Sequence, residues 1–273
     1  MVTTATFAGL HLRASGEGPP LLMLHGWAMS GRVWRFQEPM ANSWQLLAPD
    51  LPGHGYSPTP ATLDQFTVPA IANTVLEMLD AMDVERVAVV GWSLGSLVAL
   101  RLAELLGERL VAQVLVGGTP RFCSDSDYPY GVPAQDVRGL GLRLRRDYGA
   151  TLGDFFKRMF APDELDHDQY QRVVREVVLG GRQPEPAVAQ AGLQALATED
   201  VRSILPSIQV PTLVMHGMAD GICHPGGARY LVDHLPHATL QLLPGIGHAP
   251  FLSRPEEFNR LVSEFLAESW PDE

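Results

Sequence analysis

Along the first half of the chain, short apolar runs alternate with stretches in which apolar residues recur every three or four positions. Leu21–Leu24, Gln45–Ala48, Arg86–Val90 and Gln113–Val116 have strand length. Each closes on turn-forming residues: His25-Gly26, Asp50 before Pro52-Gly53, Gly91, and Gly117-Gly118. Thr4–Phe7 and Leu10–Ala14 flank Gly9 and predict a hairpin. Val68, Ile71, Val75, Leu79 and Met82 follow helical spacing, and Leu94–Leu106 is apolar enough to be a buried helix. Strands separated by helices predict βαβ units and a parallel sheet.

The pattern changes after Pro120. From Arg121 to about Leu205 no convincing strand is found. Ala134–Tyr148, Leu152–Met159, His167–Leu179 and Ala187–Ala197 are helical candidates, punctuated by Pro162, Gly180-Gly181, Pro184 and Pro186. The first is ambiguous, because Leu140, Leu142 and Leu144 also alternate as in a strand. Strand-like runs then resume at Thr212–Met215 and Thr239–Leu243, and Pro255–Glu268 reads as a helix with Pro in its first turn. The expected architecture is an α/β core (1–120 and 206–273) interrupted by a helical insertion (121–205). A length of 273 residues suits one large domain carrying such an insertion.

Composition narrows the classes. With 46% hydrophobic and 19% charged residues the chain is an ordinary globular one. A formal charge of −11, from 20 basic and 31 acidic side chains, argues against binding a nucleic-acid backbone. Two cysteines far apart, Cys123 and Cys223, build neither a disulfide framework nor a Cys-rich zinc site. No basic-then-apolar leader and no membrane-length apolar run is seen, so the expectation is a soluble cytoplasmic protein without membrane association.

Gly91-Trp92-Ser93-Leu94-Gly95 fits G-x-S-x-G, between an apolar strand and an apolar helix. A serine on so sharp a turn needs small neighbours, and its hydroxyl projects at the start of a helix, where N–H groups and the dipole favour negative charge. A glycine-rich turn without chemistry is the competing reading. A serine hydroxyl needs a base, and the base needs an orienting acid, in the chain order Ser, acid, His. Asp220 follows the strand Thr212–Met215 and His248 follows Thr239–Leu243, both at the strand ends where parallel sheets build sites. The other histidines fit worse. His11, His167, His224, His234 and His237 fall in a hairpin, an inserted helix or connections. His25 and His54 lie upstream, and His216 is still at a strand end. The backbone N–H groups of Trp27, after His25-Gly26, and of Leu94 are the expected oxyanion donors. His216, Asp220 and His224 are spaced like helical metal ligands, but they span a strand end and a Gly/Pro-bounded loop, so neither metal nor cofactor is expected.

On these landmarks, with Asp50-Leu51-Pro52-Gly53-His54-Gly55-Tyr56-Ser57, the chain resembles the α/β-hydrolase superfamily over nearly its whole length. The resemblance implies a mostly parallel eight-stranded sheet flanked by helices, with the insertion as a cap. Leu24-His25-Gly26-Trp27, Val33-Trp34, Asp220-Gly221 and His248-Ala249-Pro250-Phe251 add a likeness to the pimeloyl-[acyl-carrier-protein] methyl ester esterases of biotin synthesis. That likeness implies a substrate site lined by Trp27, Leu94, Phe155, Phe156 and Met159. Two departures stand out. Ser96 replaces a frequent second glycine, and Ala150 and Asp154 stand where the family carries two arginines that dock the carrier protein.

A serine carboxylic-ester hydrolase is therefore the leading expectation, acting on a small-molecule ester or on one borne by an acyl carrier protein docked on the cap. A general carboxylesterase, an enol-lactone or C–C bond hydrolase or a perhydrolase could use the same triad. A non-catalytic binding protein of this fold is the remote alternative. Residues 121–186 hold ten of the 20 basic side chains against 11 acidic ones, so the insertion is near neutral on an otherwise acidic chain.

Overall fold

Residues 2–63 and 66–270 are described by a computed structural model. An antiparallel hairpin, β1 (Thr3–Phe7) and β2 (Leu10–Ser15), turns at Ala8-Gly9, where both residues have positive φ. The sheet continues with β3 (Pro20–Leu24), β4 (Gln45–Pro49), β5 (Val87–Trp92), β6 (Leu110–Val116), β7 (Thr212–Gly217) and β8 (Ala238–Leu243). Its order is β1-β2-β4-β3-β5-β6-β7-β8. β2 and β4 are antiparallel, and every later pairing is parallel.

The crossovers are α1 (Val68–Ala81), capped by the Thr67 side chain, and α2 (Leu94–Leu106). Between β6 and β7 the chain adds α3 (Ala134–Arg146), α4 (Tyr148–Lys157), α5 (His167–Val173) and α6 (Pro186–Thr198), with only isolated bridges such as Arg121 to Asp200. α7 (Pro225–His234) links β7 to β8, and α8 (Pro250–Ser253) and α9 (Pro255–Ser269) close the fold.

The inner strands β3, β5, β6 and β7 are buried on both faces, which is why they read as continuous apolar runs, whereas β8 at the edge is only partly buried. The two-residue period of β3 sends Leu22 and Leu24 to one core and Leu21 and Met23 to the other. The first core packs under α1, α2 and α7, and the second under the 3-10 segment Gly31–Asn42 with α8 and α9.

Several boundaries differ from the expectations. Ala134–Tyr148 ends early because Asp147 leaves helical geometry and caps α4 through its side chain, accepting from the Ala150 N–H at 3.0 Å. α4 thus replaces the expected Leu152–Met159. The Leu140/Leu142/Leu144 alternation is incidental, since Leu144 is buried while Leu142 is 60% exposed on one helix. His167–Leu179 is α5 running into a π-helical turn, Val174–Val178. β6 starts at Leu110, three residues before the expected Gln113; the Nε2 of that buried glutamine donates to the Thr212 hydroxyl at 3.0 Å. The 3-10 segment and α7 had no expectation. Both are rich in turn formers, and α7 starts with Pro225-Gly226-Gly227, capped by His224 rather than by a usual cap residue.

Candidate active site

Ser93 sits between β5 and α2 with φ 55° and ψ −114°, in the left-handed half of backbone space where a β-carbon is strained. The two glycines of the pentapeptide make the turn possible. A β-carbon at Gly91 would collide with the Gly95 carbonyl, and one at Gly95 with the Leu24 carbonyl. The Ser93 N–H donates to the Val116 carbonyl at 2.9 Å, and Ser93 itself is half-buried. Ser96, the departure from the family pattern, hydrogen-bonds the Gly91 carbonyl at 2.7 Å and so braces the turn.

Asp220 follows β7. Its Oδ1 accepts from the Ile222 and Cys223 N–H groups at 2.8 and 2.9 Å, and its Oδ2 accepts from His248 Nδ1 at 2.7 Å. His216 Nε2 lies 3.1 Å from the same Oδ2 while donating to the Cys223 carbonyl at 2.9 Å. Burial alone would raise the Asp220 carboxyl. Attraction to the His248 ring in its protonated form and the hydrogen bonds from His216 and His248 outweigh it and hold the group well below the usual carboxylate range. The loops carrying acid and imidazole are joined, because the Ala219 N–H donates to the Ile246 carbonyl at 2.9 Å and Gly217 admits no β-carbon against Ile246 and Gly247.

His248 is buried, and its Nε2 has no partner among the described residues, Ser93 included. The ring nevertheless lies in the serine's corner. Trp92 Nε1 donates to the His248 carbonyl at 2.9 Å, and a β-carbon on Gly117, next to the carbonyl that holds the Ser93 N–H, would lie 2.9 Å from His248 Nδ1. With Nδ1–H committed to Asp220, Nε2 is a bare acceptor, the state a general base requires. Serine–base hydrogen bonds commonly tighten only when substrate is bound.

Trp27 follows β3 in a tight turn whose next residue, Ala28, has φ 58°. The Trp27 N–H has no protein acceptor among the described residues, and the Leu94 N–H is one of the orphan donors at the start of α2. His25 fixes the turn: Nδ1 donates to the Gly26 carbonyl at 2.8 Å and Nε2 accepts from the Leu51 N–H at 2.9 Å. Burial, then the neighbouring His54, push its pKa down to about 3, so it stays neutral. The Asp50–Ser57 segment is likewise scaffolding. Asp50 accepts from the Gly31 and Tyr56 N–H groups, and Gly55 has no room for a β-carbon beside that carboxylate.

The Trp27 indole donates to the Ala189 carbonyl of α6 at 2.8 Å and meets Phe155 edge-on at 4.9 Å. Phe155 is half-buried and helps line a cavity of about 280 Å³ with Phe122, Val132, Leu140 and Ile222, rimmed by Arg143 and Arg158. Ser93 and His248 are not in its wall; Phe155 stands between it and the Trp27 turn. Phe156 packs away from that cavity against Phe160 and Tyr170, and buried Met159 gives its carbonyl to the His248 N–H. Among the described residues no group of three His, Cys, Asp or Glu side chains could hold a metal ion, and His224 instead caps α7. No helix among them is long and apolar enough to cross a membrane.

Sequence reasoning missed Glu164, whose carboxylate reaches the Gly247 N–H at 2.7 Å, and the brace from Trp92. No spacing signals Glu164, because its partner is a backbone group 83 positions away.

A strained serine after β5, with a carboxylate after β7 and an imidazole after β8, defines a class, and the chain belongs to the alpha/beta hydrolase fold family, whose model matches residues 19–255. Within that class it is 40% identical to the pimeloyl-[acyl-carrier protein] methyl ester esterase of Nitrosomonas europaea, over 92% of this chain and 97% of that protein. It is 34% identical to the protein of the same name from Xanthomonas oryzae pv. oryzae, over 94% and 99%. Among solved structures, an esterase from Exiguobacterium antarcticum superposes with a TM-score of 0.86 at 26% identity, covering 97% of this chain and all (100%) of that one. An enol-lactonase from Burkholderia xenovorans, at 0.83 and 21% with 97% and 100% covered, shares the fold.

Proposed function

We propose that the protein is a serine carboxylic-ester hydrolase whose substrate is the methyl ester of a pimeloyl group carried by an acyl carrier protein. The observation that supports this reading is the 2.7 Å bond from His248 Nδ1 to Asp220, which leaves Nε2 as an unpartnered acceptor on the same edge of the sheet as Ser93. Residues 121–205 act as a cap over the core formed by 1–120 and 206–273.

His248 takes the Ser93 proton as Oγ attacks the ester carbonyl, and Asp220 holds the imidazole tautomer and stabilises the imidazolium. The Trp27 and Leu94 N–H groups hold the oxyanion. Methanol leaves with the proton from His248, and water activated by the same ring releases the acid and frees Ser93. No cofactor takes part. The apolar wall of the cavity beside Phe155 suits a methylene chain, and Arg143 and Arg158 at its rim suit an acidic carrier.

The test compares pimeloyl-carrier-protein methyl ester, free monomethyl pimelate and a p-nitrophenyl ester series. The carrier-bound ester should show the highest kcat/KM. Equal rates on the free and carrier-bound esters would leave a general carboxylesterase, and no turnover of any ester would refute the triad.

A further inference from the structure

Glu164 is a buried carboxylate to which the ester chemistry assigns no part. It lies beyond α4, 9% exposed, in the segment that turns back under the inserted helices. Its Oε2 accepts from the Ala161 N–H at 2.6 Å and from the Gly247 N–H at 2.7 Å. Its Oε1 is buried without a partner, and among the described residues no cation pairs with the group. One residue further along the same loop, the His248 N–H donates to the Met159 carbonyl at 2.6 Å. Gly247 is packed so closely there that a β-carbon would collide with that carbonyl.

Two successive N–H groups of the histidine loop are therefore satisfied from the insertion, not from the sheet. Buried donors must find acceptors, so the path of the loop depends on these two. The remaining restraints on His248 come from the other side: Trp92 Nε1 on its carbonyl and Asp220 on its ring. Resting on the reading of His248 as general base, we propose that Glu164 is a positioning residue, holding the Gly247-His248 backbone so that Nε2 is aimed at Ser93. The segment from Met159 to Glu164 continues from α4, which carries Phe155, so the helix beside the cavity and the base belong to one hydrogen-bonded unit. Misplacing a catalytic group by an ångström can cost about a hundredfold in rate, and a loop that loses one of two backbone anchors moves on that scale.

The experiment measures p-nitrophenyl butyrate turnover and, independently of any ester, the rate at which a fluorophosphonate modifies Ser93. In that reaction the Oγ–P bond forms, fluoride leaves, and His248 takes the hydroxyl proton. Glu164→Ala and Glu164→Leu, which lack the acceptor, should lower both kcat and the labelling rate about tenfold or more with KM within about twofold. Glu164→Gln should stay within about threefold of wild type, because its amide oxygen can accept both N–H bonds. The proposal is overturned if a folded acceptor-less variant, verified by circular dichroism and Tm, labels and turns over like wild type. It is equally overturned if Gln is as slow as Leu, or if KM moves in place of kcat. Should neither acceptor-less variant fold, Glu164→Asp carries the test: one methylene shorter, it cannot reach both N–H groups and should be slow where Gln is not, and Asp matching Gln overturns the idea. A wild-type chain that neither labels nor turns over removes the triad reading and this proposal together. Wild-type labelling with unaffected variants removes this proposal alone.

Discussion

Two buried histidines should make the protein lose stability between pH 7 and pH 5, well above the range in which its carboxylates titrate. His25 and His54 are both 0% exposed. Burial, then the neighbouring His54, lower the His25 pKa to about 3. Burial lowers that of His54 to about 4, against the hydrogen bond to the Pro52 carbonyl and the Asp50 charge. In the unfolded chain each returns to about 6.5. Above that pH neither state binds the proton and there is no cost. Below it the unfolded chain takes up two protons that the folded chain refuses, so stability falls as pH falls. Integrated from pH 7 to 5, each ring costs about 2 kcal/mol and the pair about 4 kcal/mol, a large part of a typical ~5–15 kcal/mol stability. Asp220, whose pKa is depressed, adds its own loss only lower, as pH falls through the ordinary carboxylate range and below. Urea titrations at 25 °C, at pH 5, 6 and 7, measure the effect. His54→Gln keeps a donor for the Pro52 carbonyl but cannot titrate, so it should halve the pH 7-to-5 loss to about 2 kcal/mol. A wild-type loss below about 1 kcal/mol, or a His54→Gln slope equal to wild type, would refute the argument that these rings are held neutral.

Ser93→Ala should fold and lose on the order of 10⁴-fold or more in kcat toward a short p-nitrophenyl ester, with EDTA without effect on wild type; near-normal turnover would sink the nucleophile. Asp220→Asn should cost on the order of 10⁴-fold by favouring the wrong tautomer of His248. Asp233→Asn, on the exposed end of α7, should change nothing, and Asp200→Asn should lower Tm while sparing kcat, because Asp200 pairs with Arg202 and Arg121. If either control matches Asp220→Asn in kcat, the acid is misassigned. Arg143→Glu/Arg146→Glu, in the last turn of α3, should raise KM for a carrier-protein methyl ester several-fold at low salt and leave a small ester unaffected. Equal shifts on both substrates would remove carrier docking.

Most of the core was legible because its rules are local. Leu21–Leu24 and, after Arg86, Val87–Val90 lie in strands buried on both faces, and such strands must be continuous apolar runs. Gly91 and Gly95 are where G-x-S-x-G requires them because the Leu24 and Gly95 carbonyls fill the space of a side chain. The candidate residues Ser93, Asp220 and His248 were readable for a topological reason: each follows a strand, and successive parallel strands put such residues on one edge. What was not readable in that corner is which neighbours hold them. Gly117 stood out only as half of a turn signal, yet its lack of a side chain leaves the space that the His248 ring occupies.

The insertion was harder to read because its residues answer to tertiary partners. Phe155, Phe156 and Met159 share one short stretch, yet their contacts differ: Phe155 meets Trp27 and the cavity, Phe156 joins the aromatic pack of Phe160 and Tyr170, and the Met159 carbonyl accepts from the His248 N–H. Helical periodicity gives a direction but not the surface it will meet. The same holds for Asp147, whose side chain stops one helix and starts the next inside what reads as one amphipathic run. Glu164 is the extreme case. Its surroundings in sequence, Ala-Pro-Asp-Glu-Leu-Asp, predict an exposed turn, and the carboxylate is buried because a loop 83 residues away needs an acceptor there. Where a partner is a side chain, its type leaves a mark on the sequence; where it is a backbone N–H, any residue with the right path supplies it. The contacts through which this insertion meets the Gly247-His248 backbone are of the second kind, so substitutions at Glu164 should reveal a dependence of Ser93 reactivity on the insertion that no motif in the chain announces.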